Sequence, residues 1–308
     1  MTTQTEPQRT SPIRSALRTF LLDLEAAGRA RGTIRFYHTK LRRFVKSLED
    51  AGITKPEAIT PDHIRQYIAT LRETSSPGGV HAHWRAIRAF IRFLVREGEL
   101  DHNPLDRIRA PSNDEPILDP VDEHAVRALL ATCDRSDIGL RDRAIILMLL
   151  DTGLRASELL ALNVGDVDPG SGTVYVRKSK SHHARVVFLG RKARRALRAY
   201  LRTRGNMRPD DPLIIAYHRD GERLRMRYDG LRDMLRRRSE RAGIPTVTPH
   251  MFRRAFALNM LRAGADVVTI SRLMGHGSLP VLLRYLKQQE EDLRGTHRRA
   301  SPVENWGL

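Results

Sequence analysis

The 308-residue chain has a single cysteine, Cys133. That excludes an intramolecular disulfide framework and any cysteine-cluster zinc site. It has no run of 18 apolar residues, so no apolar membrane-spanning helix is expected. The opening MTTQTEPQRT lacks the apolar core of a secretory leader, and a cytoplasmic location is expected. There is no Walker loop, no His-Glu-x-x-His helix and no paired-carboxylate signature. The His pair in Ser181–His183 has no partners at ligand spacing. No metal or other cofactor is expected. Acid is also scarce: 36 Asp and Glu stand against 54 Lys and Arg, a net charge of +18. Such a field favours a polyanionic partner, either nucleic acid or an anionic membrane surface.

What is present is helical periodicity. Residues 1–10 read as a disordered tail, and 11–109 as an all-helical domain. One helix is predicted from Pro12 to Ala27 with Leu17, Phe20, Leu21 and Leu24 as its apolar stripe. A second starts near Thr33, read as its N-cap, and buries Ile34, Tyr37, Leu41, Phe44, Val45 and Leu48. A third opens on Thr60 and Pro61. A fourth runs from about Val80 to Arg96, with Trp84, Ile87, Phe90, Ile91 and Leu94 inward.

Two of these helices carry cations in register. Arg85, Arg88, Arg92 and Arg96 recur at steps of three or four, and so share a face. Arg31, Arg35, Arg42 and Lys46 follow one edge of the second helix, with His38 among them. Neither stripe contains an acidic residue, whereas a merely solvated face mixes signs. Phosphate contact is the expected use. The stripes border packed helices rather than a broad apolar face, which ranks a membrane-surface protein last.

RIRAPSNDEPILDP, from Arg107 to Pro120, has the composition of a linker, centred on 110–117. Beyond it, from 118 to 295, a mixed α+β domain is expected. Helices are predicted at 121–133, 139–152, 155–162, 191–204, 229–242, 249–264, 266–274 and beyond Pro280. GTVYVRKSKSHHARVVFL reads as a β-hairpin, and Pro212–Ala216 as a strand.

Three stretches carry reactive groups. In TGLRASELLAL, Gly153 ends one helix, and Arg155 at the start of the next can pair with Glu158. In TPHMFRRAF, Thr248 suits an N-cap and Pro249 the first helical position, which places His250 and Arg253 together near a helix N-terminus, a natural anion site. In GHGSLPVLLRY, His276 precedes Tyr285 by nine residues. On one straight helix they would face opposite ways, but Gly277 and Pro280 allow the chain to bend. Each stretch alone is matched by a plain structural reading: a surface ion pair, a capped helix, a packing tyrosine.

The ordered set of Arg155, a lysine near the hairpin turn, His250, Arg253, His276 and Tyr285 resembles the tyrosine recombinase family, which includes phage integrases and Xer-type recombinases. TGLRASEL, PHMFRRAFA and LMGHGSLPVLLRY carry the resemblance, which extends over nearly the whole chain. It implies a mainly α fold with a small β-sheet: a helical, SAM-like core-binding domain at 11–109, a catalytic domain at 118–295, and a tail at 296–308 that docks in trans. It implies that Arg155 and Arg253 hold the scissile phosphate, that Tyr285 is the nucleophile, that Lys180 is the hairpin lysine, and that His250 and His276 are the two histidine positions. Aligning back from Arg185 selects Lys180, with Lys178 as the alternative. The sequence departs from the family at Arg254, where many relatives have histidine, and at Pro280, where Ser or Thr is common.

The residue types suit the implied reaction. Two guanidiniums match the oxygens of a phosphodiester and offset the charge that builds during in-line attack. A tyrosine of ordinary pKa near 10 needs a proton acceptor to attack, and His250 fits that need. A lysine beside a DNA strand can protonate the departing 5′ oxygen. The expected function is metal- and ATP-independent site-specific recombination through a 3′-phosphotyrosyl link and a Holliday junction. The expected partners are double-stranded core-site DNA, in the nucleoid, and three further copies of the chain. The rivals are a type IB topoisomerase-like relaxing enzyme and a catalytically idle DNA-binding relative.

Overall fold

The structure, a computed structural model, describes residues 10–112, 119–177, 184–217, 222–275, and residues 294, 295, 297, 298, 301, 303 and 306. It divides into two compact units, Met1–Ile117 and Leu118–Leu308. The predicted N-terminal tail, apart from Thr10, and the helix expected beyond Pro280 lie outside the described residues.

The first unit is a bundle of α1 (Pro12–Ala26), α2 (Arg31–Asp50), α3 (Pro61–Thr74) and α4 (Pro77–Arg96). Capping sets most of the starts. Ser11, Thr60 and Ser76 each accept a backbone N–H three residues on, and each is followed by proline at the first helical position. Two starts differ from the sequence reading. α2 begins at Arg31 with Ala30 as N-cap, so Thr33 lies inside the first turn, its N–H donating to the Ala30 carbonyl at 2.8 Å. α4 begins at Pro77, because the Ser76 cap and Pro77 carry the helix through Gly78 and Gly79. The core is aromatic at its centre. Phe20 packs on Phe90 and Phe93 with ring centroids 5.6 and 5.2 Å apart. Trp84, Ile87, Ile91 and Leu94 are buried, while Leu21, Leu24, Ile34 and Tyr37 are only partly so.

One polar pair lies inside this core. The Tyr67 hydroxyl and His83 Nδ1 are 2.9 Å apart, and both side chains are buried. Burial first, then the charges of Lys40 and Arg43, depresses the His83 pKa to about 4. The unfolded chain, with an ordinary histidine, takes up a proton below about pH 6.5, whereas the folded chain resists protonation down to about pH 4. Stability contributed by this residue is therefore present above pH 6.5 and is lost progressively as pH falls toward 4. Urea denaturation across pH 4–7 is expected to show this acid-side loss in the wild type and a shallower one in His83→Gln.

The second unit contains α5 (Glu123–Ala131), α6 (Asp137–Thr152), α7 (Ala156–Ala161), β1 (Val167–Asp168), β2 (Thr173–Val176), β3 (Arg185–Phe188), α8 (Arg191–Arg202), β4 (Ile215–Tyr217), β5 (Arg223–Arg225), α9 (Tyr228–Arg241), α10 (Pro249–Arg262) and α11 (Val267–Met274). β1, β2 and β3 form an antiparallel sheet in that order, with Thr173 opposite Phe188 and Val176 opposite Arg185. β4 and β5 form a separate antiparallel pair. The strand predicted at 212–216 is shifted: Pro212 makes only an isolated bridge to Asn163, and the ladder starts at Ile215. Proline lacks the N–H that a ladder requires.

α6 is the spine of this unit. Ala144, Ile145, Ile146, Met148 and Leu149 are fully buried on it, and α8 and α10 both pack against it. Near its start, Arg141, Asp142 and the Arg238 of α9 form a buried charge cluster. Asp142 accepts from Arg141 Nη2 at 2.7 Å and from Arg238 Nε at 2.9 Å. The remaining guanidinium donors reach the carbonyls of Ile215 and Thr132. Both guanidiniums thus share one carboxylate, and backbone carbonyls accept from their other donors, so the cluster is hydrogen-bonded as burial demands while keeping one net positive charge.

Candidate active site

The site is built where α6 ends. Gly153 caps that helix in the left-handed conformation, φ 60°. A Cβ there would come 2.3 Å from the Phe256 ring, so the corner requires glycine on two counts, conformation and space. The corner delivers Arg155 to the N-cap of α7. Its Nη1 donates to Glu158 Oε1 at 3.2 Å and to the carbonyls of Met274 and Gly275 at 3.3 and 3.4 Å. The side chain is 26% exposed.

Arg253 reaches the same place from α10. It is only 2% exposed. Its Nη1 donates to the Gly153 carbonyl and its Nη2 to the Met274 carbonyl at 2.6 Å. One backbone oxygen, that of Met274, therefore receives both arginines. Residues 98 positions apart in sequence have been brought to a common acceptor.

His250, exposed in the first turn of α10, lies in the field of this pair. Its pKa is lowered by loss of solvent around the ring, then by the charges of Arg254, Arg253 and Arg155. The shift favours the neutral imidazole, the form able to accept a proton. Thr248 occupies the N-cap position of α10, as its place before Pro249 predicts, but makes no side-chain capping bond.

Glu158 is not the surface partner that its spacing alone suggests. It is buried and receives Arg185 through both oxygens, at 2.9 and 2.7 Å, together with the backbone N–H of Arg155 at 2.9 Å. Burial raises its pKa, but the hydrogen bonds from Arg185 and Arg155 and their charges outweigh it, and the carboxyl is brought down to about 2. Arg185 was legible in the sequence only as an alignment anchor. A charged residue opening β3 looks like the polar end of a hairpin, and nothing local reveals a carboxylate 27 positions away.

Lys178, Lys180, His276 and Tyr285 lie outside the described residues. Among the described residues no three His, Cys, Asp or Glu side chains gather as metal ligands, and no helix is long and apolar enough to cross a membrane.

Comparisons with known proteins give the family. Residues 120–292 match the Phage integrase family, and residues 16–98 match the Phage integrase, N-terminal SAM-like domain. The chain is 31% identical over 295 residues to tyrosine recombinase XerC of Pelobacter propionicus, covering 94% of this chain and 96% of that protein. The chain belongs to the phage integrase family. The crystal structure of XerA recombinase is similar with a TM-score of 0.51 and 26% identity, covering 94% of this chain and 99% of that one. A lambda integrase dimer bound to a COC′ core site is similar in fold, with a TM-score of 0.73 and 16% identity over 90% of this chain and 79% of that one. As a phage integrase family member the protein is a tyrosine recombinase, an enzyme of DNA cleavage and strand transfer that acts in site-specific recombination. DNA relaxation alone is not favoured.

Proposed function

We propose that the chain recombines DNA at a specific core site, with Arg155 and Arg253 on the scissile phosphate and Tyr285 as nucleophile. The observation that carries this reading is the convergence of both arginines on the Met274 oxygen, with His250 in their field. Two guanidiniums that share one oxygen acceptor are spaced to share the oxygens of one phosphate.

The step balances simply. The Tyr285 oxygen bonds to phosphorus as the bond to the 5′ oxygen breaks. The tyrosine proton passes to His250, and the 5′ oxygen takes a proton from Lys180 or, in the alternative alignment, Lys178. His276 donates to the phosphate. The two arginines offset the charge of the pentacoordinate state, where fixed donors contribute most. The 3′-phosphotyrosyl link retains the bond energy, so a second 5′ hydroxyl can reverse the step without ATP.

Arg31, Arg35, Arg42, Lys46, Arg85, Arg88, Arg92 and Arg96 are all exposed on α2 and α4, which pack together. In this proposal they hold the phosphates flanking the cut. Arg96 pairs with Asp23 and Glu97, and Lys46 with Asp50. Exposed pairs of this kind are worth about 0–1 kcal/mol, so exchange for a DNA phosphate is readily driven by counterion release.

Four protomers acting on two duplexes in the nucleoid complete the proposal, the C-terminal tail of each docking on a neighbour. A plasmid with two copies of the native site is expected to yield exchanged products and a Holliday junction. The chain truncated after Glu291 is expected to bind and cleave but not to synapse. Relaxed plasmid without exchange from the intact chain would contradict the recombinase reading, and full recombination by the truncated chain would contradict the docking tail.

A further inference from the structure

Three guanidinium groups meet the last turn of α11. Arg185 Nε donates to the Leu273 carbonyl at 2.7 Å, Arg253 Nη2 to that of Met274 at 2.6 Å, and Arg155 Nη1 to those of Met274 and Gly275. These are consecutive carbonyls at a helix C-terminus, the orphan acceptors where the helix dipole concentrates negative charge. Gly275 closes the turn in the left-handed conformation, φ 63°, and a Cβ on it would lie 2.7 Å from Arg185 Nη1. The packing is therefore tight at the residue that immediately precedes His276.

Arg185 differs from the other two. Its Nη1 and Nη2 are spent on a bidentate contact with Glu158, and its Nε on α11. Its side chain is 8% exposed and that of Glu158 is 7% exposed. Its terminal nitrogens are committed to a carboxylate that offsets its charge, whereas those of Arg253 meet neutral backbone carbonyls, so Arg185 is the less suited to hold a phosphate. Glu158 in turn binds both the backbone N–H and the guanidinium of Arg155. One side chain from β3 thus ties the N-cap of α7, where Arg155 sits, to the end of α11, where Arg155 and Arg253 meet.

We propose that Arg185 is a positioning residue for DNA cleavage: by bridging Glu158 and the α11 terminus it fixes the spacing of Arg155 and Arg253. This rests on the reading that those two arginines hold the scissile phosphate. A displacement on the order of 1 Å in such a site costs about 10²-fold in rate, so loss of the bridge acts on the chemical step and not on DNA affinity.

The test uses the full chain and a nicked suicide duplex of its native site, with single-turnover cleavage and equilibrium DNA affinity measured separately. Arg185→Met is expected to slow cleavage by about 10- to 100-fold with affinity retained. Arg185→Lys, which reaches one partner but cannot fork to two, is expected to fall between it and the wild type. Because Arg185→Met leaves a buried carboxylate without its partner, Arg185→Met with Glu158→Gln serves as the folded alternative, and its melting temperature is recorded. Arg155→Lys supplies a double-mutant cycle: if Arg185 acts through Arg155, the two penalties do not multiply. Unchanged cleavage, equal losses in cleavage and affinity, or multiplying penalties would each overturn the proposal. A wild-type chain that forms no adduct on its site would instead overturn the assignment of the arginine pair and Tyr285.

Discussion

Arg253→Lys is expected to slow DNA cleavage in a single turnover by about 10²- to 10³-fold, the usual cost of removing one fixed donor from a developing charge. The geometry explains why lysine is no substitute. Arg253 spans two acceptors, the Gly153 and Met274 carbonyls, that lie on different elements. It approaches Met274 beside Arg155, which uses the same oxygen. An ammonium is a point charge that cannot keep both contacts and still offer a planar fork to phosphate. Affinity for the site should change little, because most of it comes from flanking phosphates contacted elsewhere. Gel-shift titration beside the suicide-duplex assay separates the two quantities. A loss of affinity that accounts for the whole loss of rate would show Arg253 to be a binding residue rather than part of the reacting centre.

The second large effect concerns stability. Asp142→Ala is expected to destabilise the protein by about 3–5 kcal/mol, because removing one partner leaves buried charges uncompensated. Asp142 is 2% exposed and lies between Arg141 and Arg238, which are 5% and 4% exposed. Both guanidiniums depend on it for charge compensation. Replacing all three with apolar residues of similar volume should cost far less than the single change, since the desolvation penalty disappears with the charges. Urea denaturation of the two variants checks this. A loss for Asp142→Ala as small as that of an exposed pair, about 1 kcal/mol or less, would mean that water reaches the cluster. The cluster also bears on function. It anchors α9 to α6, and the far end of α6 is the Gly153 corner that presents Arg155.

Elements with a repeating local signal were legible in the sequence. The helices of the first unit follow from apolar residues at helical spacing, and Thr60 with Pro61 marks the start of α3; Ser76 with Pro77 carries the same signal at α4, whose start was nevertheless expected near Val80. The β2–β3 hairpin follows from two β-branched runs around a polar turn, and Gly153 from its place between two helical patterns. α2 lacked such a signal: Thr33 resembles a cap, yet the helix starts at Arg31 behind Ala30. β1 and β5, two and three residues long, are too short for a period to register, and their partners alone define them.

The candidate site divides along the same line. Arg155, His250 and Arg253 stand in motifs that can be read locally, and the structure brings the two arginines to one oxygen. Arg185 could not be read that way, because its contacts with Glu158 and Leu273 are 27 and 88 residues distant. The buried cluster is similar, with Arg238 joined to Asp142 across 96 positions. Long-range charge pairing leaves no periodic trace in a sequence.

In the proposed reaction DNA is cut by attack of Tyr285 on a phosphate held by Arg155 and Arg253. The most direct measurement traps the covalent adduct on a nicked suicide duplex of the native site, digests it with protease and identifies the peptide carrying the nucleotide. The account predicts a 3′-phosphate linked to Tyr285, and no adduct from Tyr285→Phe. A nucleotide attached to any other residue, or an undiminished adduct from Tyr285→Phe, would contradict it.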